Sequence, residues 1–367
     1  MPNTDNRSYS SSSFALPGWN QYWQDLWITF KGPYIPGRVC TVHKTRYEVI
    51  VQDGIISVPV SGAMRSGKIF PVVGDFVVIL NQPESATRII VAILQRKNSL
   101  ARGGAGDSAG EQVIAANIDT VFIVTEPGSD LSIPRLERYL LITRSSGARP
   151  VIILNKADTS PDIAGQVGVI TREIRDIPVV PVSAAEKTGL EDLNPYLGSG
   201  RTVVFVGSSG VGKSTLTNAL TGETVQETGD IREDDGRGHH TTTVRHLLSL
   251  PDGSSLIDTP GLREIRVWTA EESIAETFDD ILKYATRCRF SDCSHDGEPG
   301  CAVRQAVEEG VLDPDRLARY KKILKEVAFE RDKADIGLKR FEKKKFREIS
   351  RFAKEIASER KAGNGRH

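Results

Sequence analysis

Residues 207–215, Gly-Ser-Ser-Gly-Val-Gly-Lys-Ser-Thr, fit the spacing G-x-x-x-x-G-K-[ST] through Gly207, Gly212, Lys213 and Ser214. They follow an apolar run, RTVVFV, and open a helical stretch, STLTNAL, which is the strand–loop–helix context such a loop needs. Glycines there free the backbone to turn N–H groups inward around phosphates, and the helix N-terminus adds its dipole. The loop Gly207, Ser208, Ser209, Gly210, Val211, Gly212, Lys213, Ser214 and Thr215 is therefore expected to hold nucleotide phosphates. Lys213 would meet the β- and γ-phosphates, and the Ser214 hydroxyl would coordinate Mg2+. The competing reading is a glycine-rich turn with a surface lysine.

Further along, Asp258-Thr-Pro-Gly261 ends an apolar run, SLID, as a D-x-x-G element. Asp258 could hold Mg2+ through water, and the Gly261 N–H could sense a γ-phosphate. Between loop and D-x-x-G, GRGHHTTTVRHLL (236–248) offers three threonines before a strand. Thr242 and Thr241 are the favoured candidates to close over Mg2+, with no firm choice between them. Leu262 stands where many GTPases place a water-orienting glutamine, and it cannot hydrogen-bond to water. Intrinsic hydrolysis should be slow, and His239 and His240 are candidates to supply the missing function. The alternative is a pair of solvated histidines.

Base recognition has its own candidates upstream. VIIL runs into Asn155-Lys156-Ala157-Asp158, and IPVVPV runs into Ser183-Ala184-Ala185. Asp158 can accept two hydrogen bonds from the ring N–H and exocyclic amine of guanine, a donor pair adenine lacks, while the Lys156 stem can lie over the base. A polar site of this kind discriminates by unmade hydrogen bonds, so roughly two to five decades against adenine is expected.

The order of these motifs is unusual. The common GTPase order is phosphate loop, switch threonine, D-x-x-G, N-K-x-D, S-A; here N-K-x-D and S-A come first. Ligands of an open α/β sheet bind at the carboxyl ends of its strands, so a cyclic change of order leaves the site intact if the old termini lie close. A short helix near residues 188–197 would be the join. The chain then leaves the nucleotide domain just after D-x-x-G, so nucleotide state is expected to bias residues 262–320.

Those residues include a second chemical cluster. Cys288, Cys293, His295 and Cys301 are spaced C-x4-C-x-H-x5-C. Three thiolates and an imidazole suit tetrahedral Zn2+, and four protein ligands make the site closed and structural. One structural zinc per chain is expected, with local unfolding after about residue 285 without it; free buried thiols are the alternative. Cys40 stands apart as a buried strand residue.

The elements around these motifs suggest a multidomain chain. Residues 1–35 form an N-terminal extension, Ser- and Asn-rich and then aromatic through Trp19, Tyr22, Trp23, Trp27 and Phe30, expected to dock on a surface the sequence does not name. Residues 36–100 hold five β-type runs, VCTVH, YEVIV, IISVPV, DFVVIL and RIIVAIL, which favour an OB-type barrel over an SH3-like one. Such barrels often bind RNA, though a purely structural module has the same pattern. A Gly- and Ser-rich linker at 101–112 precedes alternating strands and helices, so 113–285 are expected to form an α/β domain with a mostly parallel sheet. Residues 286–367 would be a helical zinc domain with a basic tail. In 316–367 basic residues outnumber acidic ones about two to one, although the chain's formal net charge is zero. That tail is either an RNA-backbone footprint or a solvated helix face.

No basic region followed by an apolar run opens the chain, and no window matches a membrane span, so a soluble, cytoplasmic protein with no membrane partner is expected. Four cysteines, three of them in one window, suit a reducing compartment.

The motif order, the loop GSSGVGKST, the string G-x-G-x-HTTT and the C-x4-C-x-H-x5-C spacing together resemble the RsgA family of circularly permuted GTPases of small ribosomal subunit biogenesis. The likeness runs from about residue 36 to 325. It implies an N-terminal OB-type β-barrel, a circularly permuted α/β P-loop GTPase domain and a C-terminal α-helical zinc-binding domain. It further implies a cytoplasmic monomer that binds GTP and GDP with Mg2+, engages the small (30S) ribosomal subunit and its 16S rRNA late in maturation, and hydrolyses GTP under stimulation by that subunit. By motif match His240 takes the family's proposed catalytic role, beside Lys213. The aromatic extension and the tail after about residue 330 depart from the pattern. Two rivals stand: a GTP-gated RNA-binding switch without turnover, and a GTPase acting on another RNA or a translation factor.

Overall fold

The computed structural model of the chain describes residues 16–82, 87–103, 111–224, 245–258, 271–336 and Lys343. It divides into two compact units, Met1–Ala101 with Val113–Glu264, and Arg102–Gln112 with Ile265–His367.

In the first unit, helix α1 (Gln21–Trp27) precedes strands β1 (Tyr34–Val42), β2 (Tyr47–Val51) and β3 (Gly54–Val58), then helix α2 (Gly62–Ser66) and strands β4 (Phe76–Gln82) and β5 (Thr87–Ile93). All neighbouring pairs, β3–β2, β2–β1, β1–β4 and β4–β5, are antiparallel, and Val60 bridges Ile90 beyond the end of β3. The five runs therefore curl until first and last edges meet. Period-two alternation decides which side chains face in: Tyr47, Val49 and Val51 of β2 join Val39, Val58, Val77, Ile79 and Ile90 in one core. Helix α2, whose Ser61 cap accepts from the Met64 N–H, adds the Met64 side chain to that core.

The aromatic half of the N-terminal extension packs on this barrel. Trp23, 1% exposed, lies 4.5 Å from the Phe76 ring, Trp19 meets the same ring edge-on at 5.4 Å, and Leu16, Val78 and Leu94 complete the cluster. Burial of the Trp23 indole against Phe76 anchors α1, a helix of seven residues that is too short to persist alone.

Strands β6 (Ser99–Gly103) and β7 (Glu111–Ala116) pair as a separate two-stranded sheet, so the stretch expected to be a linker begins and ends in a β-ladder. Then comes the α/β pattern: β8 (Thr120–Thr125), α3 (Ile133–Ser146), β9 (Arg149–Leu154), α4 (Ile163–Glu173), β10 (Val179–Pro181), β11 (Thr202–Gly207), α5 (Lys213–Thr221), β12 (His246–Ser249) and β13 (Ser255–Asp258). The sheet order is β10-β9-β8-β11-β13-β12, parallel except for β12. Every residue of β8 and β11 is buried, as a strand covered on both faces requires. A 3-10 turn, Leu190–Tyr196, joins β10 to β11, with Leu193 and Tyr196 packed beside Phe122 and Phe205. It occupies the position expected for the permutation joint.

Strand β1 also pairs with β12, Thr41 opposite His246, so barrel and nucleotide sheet are one hydrogen-bonded sheet. Arg38 seals the junction. Wholly buried, it donates to Thr202 Oγ1 (2.7 Å) on β11, to the Pro17 carbonyl (2.8 Å) of the extension and to the Gly74 carbonyl, and its guanidinium lies 4.9 Å from the Phe76 centroid. Burial pulls its pKa down to about 10, against the pull of Asp119 and Asp75, so it remains charged at neutral pH. Cys40 lies buried in the same strand, as expected.

The second unit contains α6 (Glu271–Thr277), α7 (Asp279–Ala285), α8 (Ala302–Glu308) and α9 (Pro314–Ile336). Phe278, fully buried between α6 and α7, packs 5.2 Å from Tyr320 of α9 and under the Arg316 guanidinium, which also pairs with Asp280. The last run of the basic tail, EKKKFREISRFAKEIASERK (342–361), expected to be helical, lies outside the described residues apart from Lys343. Among the described residues no helix is long and apolar enough to cross a membrane.

Candidate nucleotide site and metal centre

Parallel β8, β9, β10, β11 and β13 present their carboxyl ends at one edge, and the ladders keep those ends level: Gly207 is opposite Val124, Leu154 opposite Thr125, and Pro181 opposite Leu154. Motifs far apart in sequence therefore meet there. Asn155, 1% exposed, donates from Nδ2 to the Val211 carbonyl (2.8 Å) and accepts at Oδ1 from the Ala184 N–H (3.1 Å). One amide side chain thus ties the N-K-x-D strand to both the phosphate loop and the S-A element. The Ala157 N–H donates to the Val182 carbonyl, and Ser183 Oγ accepts from the Glu186 N–H, so the S-A turn is braced from both sides. Lys156 sits in the left-handed region (φ 59°), its ammonium paired with Glu126 at the end of β8, while Asp158 is exposed at the rim.

The phosphate loop needs glycine at two of its positions for different reasons. Gly207 has φ 152°, and a Cβ there would come within 2.3 Å of the Val124 carbonyl oxygen. Gly212 has φ 86°, and a Cβ would strike Asn155 Nδ2 at 2.3 Å. Lys213 begins α5 and folds back so that its ammonium donates to the Gly207 carbonyl (2.9 Å) and the Ser208 carbonyl. Ser214 and Thr215 stand half-buried on the first turn of α5 beside it. Asp258, 6% exposed, ends β13 one strand from the loop. His239, His240, Thr241, Thr242, Gly261 and Leu262 lie outside the described residues.

Two groups beside the loop had no signal in the sequence. Arg135, near the start of α3, donates from Nη1 to Ser208 Oγ (2.5 Å), and Tyr139, one turn on, shares a hydrogen bond with the same hydroxyl. Neither belongs to a recognisable motif. Only the placement of β8 next to β11 brings them to the loop.

In the second unit Cys288, Cys293, His295 and Cys301 bring one ligand atom each within 4.8 Å of all the others. His295 Nδ1 is 3.4 Å from Cys301 Sγ and 3.7 Å from Cys288 Sγ, and those two sulfurs are 4.0 Å apart. A tetrahedral zinc with its usual bond lengths would have edges of about 3.5–3.8 Å. The donor set and its spacing therefore fit such an ion. Burial lowers the His295 pKa and so favours the neutral, ligating imidazole. Around it, the Glu298 carboxylate accepts from the Ser294, Asp296 and Gly297 N–H groups, and Lys321 of α9 donates to the His295 carbonyl (2.5 Å) and to Asp296.

Comparisons with known proteins agree with this geometry. The family model described as RsgA GTPase matches residues 93–268. A small ribosomal subunit biogenesis GTPase RsgA from Methanosarcina acetivorans is 52% identical over 336 residues, 91% of each chain. A protein of the same name from Opitutus terrae is 41% identical over 90% of this chain and 94% of its own. Among solved structures, YjeQ from Thermotoga maritima is similar with TM-score 0.59 and 27% identity, covering 80% of this chain and 99% of that one. YloQ, described as a circularly permuted GTPase, has TM-score 0.58 and 27% identity over 80% and 95%.

Proposed function

Because the chain belongs to the RsgA GTPase family, and is thus a GTP hydrolase of circularly permuted order, we propose that it binds the small ribosomal subunit and assists its late maturation. The subunit follows from the family, and the observation that carries the nucleotide part of this reading is Asn155, whose one side chain joins N-K-x-D, S-A and phosphate loop at a single sheet edge despite their order.

In this reading Asp158 takes the guanine donors, Lys156 lines the base, Ser183 and Ala184 close the base pocket, and the loop from Gly207 to Thr215 cradles the phosphates. On nucleotide binding Lys213 exchanges its two carbonyl partners for phosphate oxygens, a swap that keeps the ammonium paired throughout. Bound Mg2+ would neutralise charge on the β- and γ-phosphates, held by Ser214, Asp258 and Thr242. Gly261 would sense the γ-phosphate and His240 would act in hydrolysis, with Leu262 leaving no glutamine for that task. The four-ligand cluster would hold one structural zinc, which organises the loop and the helices after it.

The five-stranded barrel of residues 36–100, with α2 between its third and fourth strands, is assigned as OB-type, and 16S rRNA as its partner and that of the basic tail. Residues 113–285 are assigned as the nucleotide domain and 286–367 as the zinc domain, in a monomeric, cytoplasmic protein. Nucleotide state would bias residues 262–320, and equal hydrogen exchange there in the GDP and GTP-analogue forms would count against that coupling.

The decisive experiment is GTP turnover by the full chain alone, with small subunits, and with large subunits as control, His240→Ala alongside. Stimulation by small subunits only is expected, and its loss in the variant would support the histidine's role. Tight GTP binding with no stimulation by either subunit would instead favour a switch that does not turn over.

A further inference from the structure

We propose that Arg135 is a positioning residue for the phosphate loop, acting through the Ser208 hydroxyl; the inference rests on the nucleotide-site reading above. Ser208 is the second residue of the loop, and it is held on two sides. Its carbonyl accepts from the Lys213 ammonium. Its hydroxyl is bonded by the Arg135 guanidinium at 2.5 Å and by the Tyr139 hydroxyl. A serine hydroxyl has one donor and two acceptor sites, so these two partners leave it little freedom to rotate.

The holding groups are themselves fixed. Asp130, in the turn Gly128–Asp130 that follows β8, pairs with the same Arg135 Nη1, and the Thr125 hydroxyl at the end of β8 donates to Asp130 (3.4 Å). Tyr139 is 4% exposed, and burial pushes its pKa up to about 12, so it stays a neutral phenol across the working pH range. The order of roles follows from what each partner can leave. Lys213 must exchange the Ser208 carbonyl for a phosphate oxygen when nucleotide binds. Arg135 and Tyr139 face the hydroxyl from α3 and have no such exchange to make. They keep the loop's first turn in its binding shape through the swap, so the N–H groups that follow meet phosphate without reorganisation.

A positioning role of this kind serves GDP and GTP alike, and it serves ground and transition states alike. The test uses the full chain with Arg135→Ala, Arg135→Lys, Ser208→Ala and the double variant Arg135→Ala/Ser208→Ala. Affinities for fluorescent GDP and for a non-hydrolysable GTP analogue are read first, then turnover with small subunits. Arg135→Ala should weaken both nucleotides about equally, by about tenfold, as loss of one charge-assisted hydrogen bond predicts. In the Ser208→Ala background the same change should add less than about twofold, because the shared partner is already gone. Arg135→Lys should recover part of the loss, since an ammonium can still donate to the hydroxyl. KM for GTP should rise with kcat unchanged.

Equal losses in both backgrounds would overturn the proposal. So would a loss confined to the GTP analogue or to kcat, which would mean the guanidinium touches the terminal phosphate itself. Unchanged affinities would overturn it as well. If the unaltered protein fails to bind either guanine nucleotide, the nucleotide-site reading has failed instead. Far-ultraviolet circular dichroism and Arg135→Lys separate a specific loss from failure to fold.

Discussion

Asn155 and Asp158 sit in one four-residue motif, the first buried and the second exposed. Asn155 is buried and spends both ends of its amide on backbone groups of two other motifs. Asn155→Ala should leave the Val211 carbonyl and the Ala184 N–H without that partner, lowering stability by about 1–3 kcal/mol and weakening nucleotide binding whatever the base. Urea denaturation and nucleotide titration would measure the two effects. Asp158, exposed at the rim, should affect only base choice. Asp158→Asn should cost roughly two decades of GTP affinity while improving binding of xanthosine triphosphate, whose carbonyl replaces the guanine amine and can accept from the new amide. Titrating both nucleotides against both proteins checks it, and an equal loss for each would place Asp158 outside base recognition.

At the scale of elements, the two chemical centres are held in different ways. The nucleotide loop is anchored by wholly buried strands, β8 and β11, on which the ladder and a continuous apolar core act together. The segment around the cluster of Cys288, Cys293, His295 and Cys301 has little regular structure of its own between α7 and α8, with Cys301 as the cap of α8 and Lys321 of α9 clamping the His295 carbonyl. Its order should therefore depend on the ion. Removing zinc with a strong chelator is expected to raise hydrogen exchange across residues 288–308 while β8 to β11 keep their protection. Equal protection with and without metal would mean that the helices alone hold the loop.

For the first unit as a whole, the consequential feature is that barrel and nucleotide sheet are not separate bodies. Strand β1 serves the barrel through β2 and β4 and the nucleotide sheet through β12, and β12 is the strand into which the threonine-bearing segment runs. On β12, His246 faces Thr41 of the barrel on one side and Asp258 on the other. Arg38 closes the same junction from within, a full charge with no exposed surface. Arg38→Ala should strip hydrogen bonds from the extension and from β11 at once, lowering unfolding free energy by about 3 kcal/mol. Calorimetry should then resolve separate melting of barrel and nucleotide sheet where the unaltered unit melts in one transition; a single transition at an unchanged temperature would remove Arg38 from this role.

The candidate nucleotide site could be read from the chain because its motifs are local. A phosphate loop is a contiguous run whose glycines are required by backbone angles and close approach, as Gly207 and Gly212 illustrate, and N-K-x-D and S-A mark strand ends by the same short-range logic. The candidate metal cluster was legible too, since three thiols and an imidazole within fourteen residues are a donor set that can gather around one ion. The permutation itself followed from motif order. Tertiary structure alone decided what the aromatic extension covers, that β1 adds to the edge of the nucleotide sheet, and that Arg38, Arg135 and Tyr139 matter at all. Those three residues lie in ordinary strand and helix sequence; Arg38 finds its partners 21 to 217 positions away, and Arg135 reaches Ser208 across 73. A pattern along the chain records period and local conformation. Which strand lies beside which, and so which hydroxyl an arginine meets, is settled only when the sheet assembles and the buried charge must find its hydrogen bonds.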